Sequence, residues 1–213
     1  YVPPFPIPPK QDATLPSLSL SKSTTPLLQD GRFSPQAWSN AQNIILRDNY
    51  TSKPYQPKTT AWIAFDQDFI IVKVQADEPE LDKIKTATTS NGDFKVFSDD
   101  MIELYFGFEN NAIIRHFGIN AAGVHAVRTV YRQGNDRTWE CHPIVAASRT
   151  DQAWVLEMAF PWRHLAPDGA IPAEISFNLN RARSLPGDRL AAWSPTFGLF
   201  LAPDRFGRIT LQP

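Results

Sequence analysis

The strongest constraint in this sequence is a period of two. In Phe69-Ile70-Ile71-Val72-Lys73-Val74-Gln75-Ala76, Ile70, Val72 and Val74 fall on one side and Lys73 and Gln75 on the other. That is the repeat of a strand, not of a helix. Residues 101–108 behave alike: Ile102, Leu104, Phe106 and Phe108 share one face, and Met101, Glu103 and Tyr105 the other. Residues 175–180 set Phe177 and Leu179 against Ser176, Asn178 and Asn180. Residues 61–65 form a hairpin with 69–76 through the polar turn Asp66-Gln67-Asp68, and 113–120 pairs with 123–131 around Asn120-Ala121-Ala122-Gly123. Residues 154–160, 191–193 and 208–211 complete the set, and only 161–165 reads as a helical turn. Eight or more short strands with little helix predict an all-β fold, an antiparallel β-sandwich of jelly-roll or immunoglobulin-like type. Its core is expected from Ile70, Val72, Val74, Ile102, Leu104, Phe106, Leu156, Phe177 and Leu179.

Composition narrows the function. The 213 residues suit one domain with an appendage. Net charge is -1, which leaves no basic excess for general nucleic-acid binding. No apolar run approaches the roughly 20 residues of a membrane span, and the single cysteine, Cys141, closes no internal disulfide. Proline, at 19 residues, crowds the start in Tyr1-Val2-Pro3-Pro4-Phe5-Pro6-Ile7-Pro8-Pro9. Residues 1–20 are therefore expected to be an extended, Pro-rich leader or linker, and 21–213 the sandwich domain. A start without Met is what a processed export product shows, so a secreted, periplasmic or cell-surface location is expected.

The polar strand faces carry the candidate chemistry. They hold Glu103 and Tyr105, His116 and Asn120, Glu157, and Ser176, Asn178 and Asn180. Asparagine is disfavoured in mid-strand, so Asn178 and Asn180 on one face point to a polar site. Amides and carboxylates match vicinal hydroxyls, and aromatic rings cover the apolar face of a sugar. A glycosidase needs two carboxylates at fixed separation, and nothing here sets the distance from Glu103 to Glu157. No phosphate loop, nucleophile elbow or metalloprotease helix occurs. Asp99 and Asp100 end the long polar stretch 78–98, and an oxygen-rich loop of that kind suits calcium.

The order of motifs resembles family 9 carbohydrate-binding modules and their relatives. Gln29-Asp30-Gly31-Arg32-Phe33 with Ala37-Trp38 is similar to their opening, and the 61–74 hairpin to their next two strands. Ser98-Asp99-Asp100-Met101-Ile102-Glu103-Leu104-Tyr105-Phe106 resembles "DDxVEIF". Residues 154–162 resemble "WxxEiaIPW" and 177–181 "FNxNR", and the ending from Trp193-Ser194-Pro195-Thr196 to Phe206-Gly207 resembles "WSPT…PxxFG". The resemblance implies non-catalytic binding of an oligo- or polysaccharide, of glucan or xylan type, by a module often linked to a glycoside hydrolase in polysaccharide utilisation. It implies two rings around a terminal sugar, here Phe97 and Phe200, with Val96 and Leu201 as other registers; the family more often has Trp at both. It also implies polar contacts from Glu103, Asn120, Asn178 and Asn180, and a structural calcium for which Asp99 and Asp100 are candidates. Two other readings stay open. One is a structural or interaction sandwich without a sugar. The other is a haem-binding DOMON-type cytochrome domain using Met101 or Met158 with His116 or His125.

Overall fold

The structure, a computed structural model, describes residues 14–185 and 190–213. In chain order its strands are β1 (Ser17–Ser21), β2 (Leu28–Gln29), β3 (Arg32–Phe33), β4 (Gln42–Ile45), β5 (Arg47–Asp48), β6 (Thr59–Phe65), β7 (Phe69–Asp77) and β8 (Met101–Phe108). There follow β9 (Ile113–Asn120), β10 (His125–Tyr131), β11 (Gly134–Asp136), β12 (Ile144–Arg149), β13 (Ala153–Pro161), β14 (Glu174–Ala182), β15 (Leu190–Ala192) and β16 (Gly207–Gln212). Helix is limited to α1 (Trp162–Leu165) and short 3-10 turns, one of them Phe94–Ser98.

Two sheets form the sandwich. The larger runs β1-β16-β14-β8-β9-β10-β11; the smaller runs β12-β13-β7-β6-β4. The expected alternation decides what lies between them. All nine expected core residues are fully buried in one apolar cluster that draws on both sheets. The rings of Phe106, Phe117, Phe160 and Phe177 pack there at centroid distances of 4.7–5.8 Å, mostly tilted or edge-on as ring quadrupoles prefer. The 66–68 turn forms because Asp66 Oδ1 accepts the N–H groups of Asp68 and Phe69, while Oδ2 takes that of Leu27.

Strand β14 shares one edge between two partners. Its first half, Glu174–Phe177, pairs with β16, and Asn180–Ala182 pairs with β15. The sheet splits there: Trp193 packs into the core beside Phe177, and Ser194 bonds to Asn178 on the outer face.

The leader expectation needs correction at its end. Ser17–Ser21 is a strand, parallel to β16, and Leu20 is buried in the core. Leu18 and Leu20 alternate with serines, a two-residue repeat hidden beside the prolines. Residues 1–13, the rest of that expected leader, lie outside the described residues. Strands β4 and β12 were not expected either; both are edge strands, and the exposure of β12 leaves it no apolar alternation to read.

Candidate functional site

Cross-strand register builds a polar floor on the outer face of the large sheet. Residues opposed in an antiparallel ladder share a face. One row is Asn178–Tyr105–His116–Arg128, and the next is Asn180–Glu103–Gly118–Ala126. Glu103, Asn178 and Asn180, expected together from sequence, do meet here. Glu157 does not: it lies on the other sheet, 3.5 Å from Lys73.

The floor is wired. Arg128 Nε donates to His116 Nδ1 at 2.9 Å. His116 Nε2 lies 2.8 Å from Glu103 Oε2, and the Tyr105 hydroxyl donates to the same oxygen at 2.6 Å. An arginine carries no acceptor, so its approach to Nδ1 assigns the neutral tautomer with the proton on Nε2. The Tyr105 and His116 rings stack at 4.3 Å. Burial lowers the pKa of His116 below its ordinary 6.5; Glu103 opposes this shift and Arg128 adds to it. Burial, and then the charge of Glu103, push the Tyr105 phenol well above 10.0. Glu103 Oε1 has no partner among the described residues. Asn180 is 0% exposed, and among the described residues both of its amide atoms lack a hydrogen-bond partner. A buried amide left so costs about 1–3 kcal/mol per unmet group.

Both expected rings pack against residues of this floor. Phe97, on the turn Phe94–Ser98, packs on His116 at 4.9 Å and lies under the Arg128 guanidinium at 5.6 Å. It rests where Gly118 has no side chain: a Cβ there would come within 2.5 Å of the ring. Phe200 is buried in a small cluster with Tyr105, Ile114 and Phe206, beside Leu199, which is 84% exposed. Of the other registers, Val96 is buried and Leu201 packs at the edge of the Phe200 cluster.

Two expected contacts are spent elsewhere. Asn120 uses all its hydrogen-bonding capacity: Nδ2 donates to Thr88 O and Asp99 Oδ2, and Oδ1 accepts from Ala122 and Val124. It is a turn clamp, not a sugar contact. Asn178 likewise holds Ser194 through both its N–H and its carbonyl, fixing the segment that carries Phe200. Asn49, buried, braces that segment by accepting from Thr196 and donating to Gly198 O.

Asp99 and Asp100 do not fit a calcium site. Asp99 accepts from Ala87, Thr88 and Asn120. Asp100 accepts from Lys85 and from the N–H and hydroxyl of Ser184. Donor protons occupy the lone pairs a cation needs, and among the described residues no three His, Cys, Asp or Glu side chains converge. Burial pushes the Asp99 carboxyl up, but its donors outweigh that and hold it below 3.8. The pair ties residues 85–88 and Ser184 to the start of β8.

The family model for carbohydrate family 9 binding domain-like proteins matches residues 29–213. The chain belongs to that family. Solved structures share the fold of this family 9-like domain. One is a Bacteroides uniformis protein provisionally described as carbohydrate-binding, with a TM-score of 0.76 and 17% identity over 93% of this chain and 100% of that one. Another is a family 9 carbohydrate-binding module from Caldicellulosiruptor kristjanssonii with cellotriose, with a TM-score of 0.64 and 13% identity over 92% and 94%. The same organism's module with glucose gives 0.63 and 13% over 92% and 96%. No curated protein matches the sequence. The family is non-catalytic, and no helix of the described residues is long and apolar enough to cross a membrane.

Met158 and His116 do not serve the haem reading: Met158 lies in the core between the sheets, and both nitrogens of His116 are engaged. Sequence reasoning missed Arg128 and the role of His116. The hairpin centred on residues 120–124 would have placed 128 opposite 116.

The buried histidines give this family 9-like domain an acid-sensitive fold. His116 and half-buried His125 both have pKa values below 6.5, through burial first. The unfolded chain therefore binds protons that the native one refuses just below pH 6.5. Their contribution to stability is full above that pH and falls as pH drops through the window. Urea midpoints should decline as pH falls from about 6.5 to 5; a constant midpoint contradicts this.

Proposed function

We propose that this domain binds carbohydrate without catalysis, seating a terminal sugar or short oligosaccharide between Phe97 and Phe200. The observation that carries the reading is the unpartnered amide of Asn180, paired in register with Glu103, whose Oε1 is open. An amide supplies a donor and an acceptor and a carboxylate supplies an acceptor, which together suit adjacent sugar hydroxyls. Family membership and the fold shared with modules holding cellotriose and glucose support it. A place in polysaccharide utilisation outside the cell, beside a glycoside hydrolase, follows from the same reading.

A glycan array followed by calorimetric titration with cellotriose and glucose tests it. Stacking of a nucleic-acid base on an aromatic ring is worth about 1–3 kcal/mol by alanine substitution, and a sugar should fall in or below that range. Phe97→Ala or Phe200→Ala should therefore weaken binding about 5- to 150-fold. Phe97→Ala should stay folded, whereas Phe200→Ala also loses packing against Phe206 and Tyr105. Unchanged affinity in both variants places the sugar elsewhere. A protein that binds no glycan is a structural sandwich, the reading that the burial of Phe200 favours.

A further inference from the structure

We propose that His116 is a positioning residue that couples Arg128 to Glu103, and that taking up a proton at Nδ1 frees Arg128 and weakens the sugar slot. This inference rests on the carbohydrate-binding reading above for its effect on affinity.

The geometry leaves His116 one neutral arrangement. Its Nδ1 is filled by the Arg128 Nε–H and its Nε2–H is directed at Glu103 Oε2. Its ring is held between Phe97 and Tyr105, at 4.9 and 4.3 Å. It is 1% exposed, so it cannot swing out to water without opening the stack. The groups facing it are Glu103 and Tyr105 from β8, Arg128 from β10, and the uncharged Phe97 from the 3-10 turn.

A proton added at Nδ1 turns the acceptor into a donor. Two N–H groups and two positive charges then oppose one another across 2.9 Å, and the arginine has to withdraw. Its guanidinium leaves the face of Phe97, where it now sits at 5.6 Å. The new imidazolium also pairs with Glu103, drawing charge from the carboxylate that would accept from a sugar. Both changes act against binding. The lowered pKa of His116 puts the change on the acid side of 6.5.

Two measurements on the whole protein decide this. Nitrogen-resolved NMR of the free protein should show His116 neutral with its proton on Nε2 near neutral pH. The Arg128 Nε–H signal should move in step with the titration of His116. A proton on Nδ1, or an Arg128 signal indifferent to that titration, overturns the coupling. Calorimetric titration with cellotriose should show affinity falling on the order of tenfold as His116 charges, the scale of one charge-assisted hydrogen bond. H116Q should bind more weakly at about pH 7.5 and lose that pH slope. Equal slopes in H116Q and the parent protein overturn the effect on binding. If cellotriose and glucose bind at no pH, the carbohydrate reading falls instead, while the NMR result still decides the coupling.

Discussion

Replacing Glu78 by alanine is expected to cost about 3–5 kcal/mol of stability. Glu78 is 1% exposed. Its Oε2 accepts from Arg181 Nη2 at 3.0 Å and from Arg183 Nε at 2.7 Å, and its Oε1 accepts from Arg183 Nη2 at 2.8 Å. Arg181 extends the network across the sandwich: Nη1 donates to Thr59 Oγ1 and to Asp77 O, each at 3.0 Å. Strand β14 is thereby tied to β6 and β7 of the opposite sheet. Burial alone would raise the Glu78 carboxyl. The Arg183 bond, the Glu80 N–H and the two guanidinium charges outweigh it and hold the group below 4.5. Removing the carboxylate takes an anionic partner from the buried Arg181 and from Arg183. For a chain of this length the loss corresponds to roughly 6–20 °C in melting temperature. Urea unfolding of Glu78→Ala measures it; a loss under about 1 kcal/mol would mean that the network adds nothing net. Glu78→Gln, which keeps an acceptor and removes the charge, should fall between.

Glu103→Ala should weaken sugar binding by about 10- to 150-fold, the range for a hydrogen bond to a charged group. The substitution also orphans the Tyr105 hydroxyl and the His116 Nε2–H, both buried, so a loss of stability of about 1–3 kcal/mol for each unmet group should accompany it. Glu103→Gln separates the two effects. It retains an acceptor for Tyr105 and His116, so its stability should recover more than its affinity. Calorimetric titration alongside urea unfolding reads both. If Glu103→Ala binds as tightly as the parent protein, the floor described here does not hold the sugar.

The core was legible because alternation is a local property. Ile70, Val72 and Val74 declare their face without knowing which strand lies beside them. The site was legible only as far as strand faces reach. Asn178 and Asn180 look equivalent in the sequence, two residues apart on one side. Their fates differ because Ser194 comes back over Asn178 and no described residue hydrogen-bonds to the amide of Asn180. Asn120 and the two aspartates read as ligands because their chemistry suits one, but residues 85–88 take up that chemistry first. Arg128 and His116 needed the register of a hairpin, and neither residue shows anything unusual alone. Ser17–Ser21 was lost because the prolines before it dominate the local composition.

Gly118 sets one dimension of the proposed slot. The Phe97 ring touches down on a backbone stripped of its side chain, and even one methyl group at 118 would have to lift it. The height of that wall above the sheet is thus gauged by a hydrogen atom, while Glu103 and Asn180 beside it set what the floor can recognise. Depth and chemistry are governed by different residues. A substitution at 118 would rescale the opening by displacing the Phe97 ring, while Glu103 and Asn180 keep their places in the strand register.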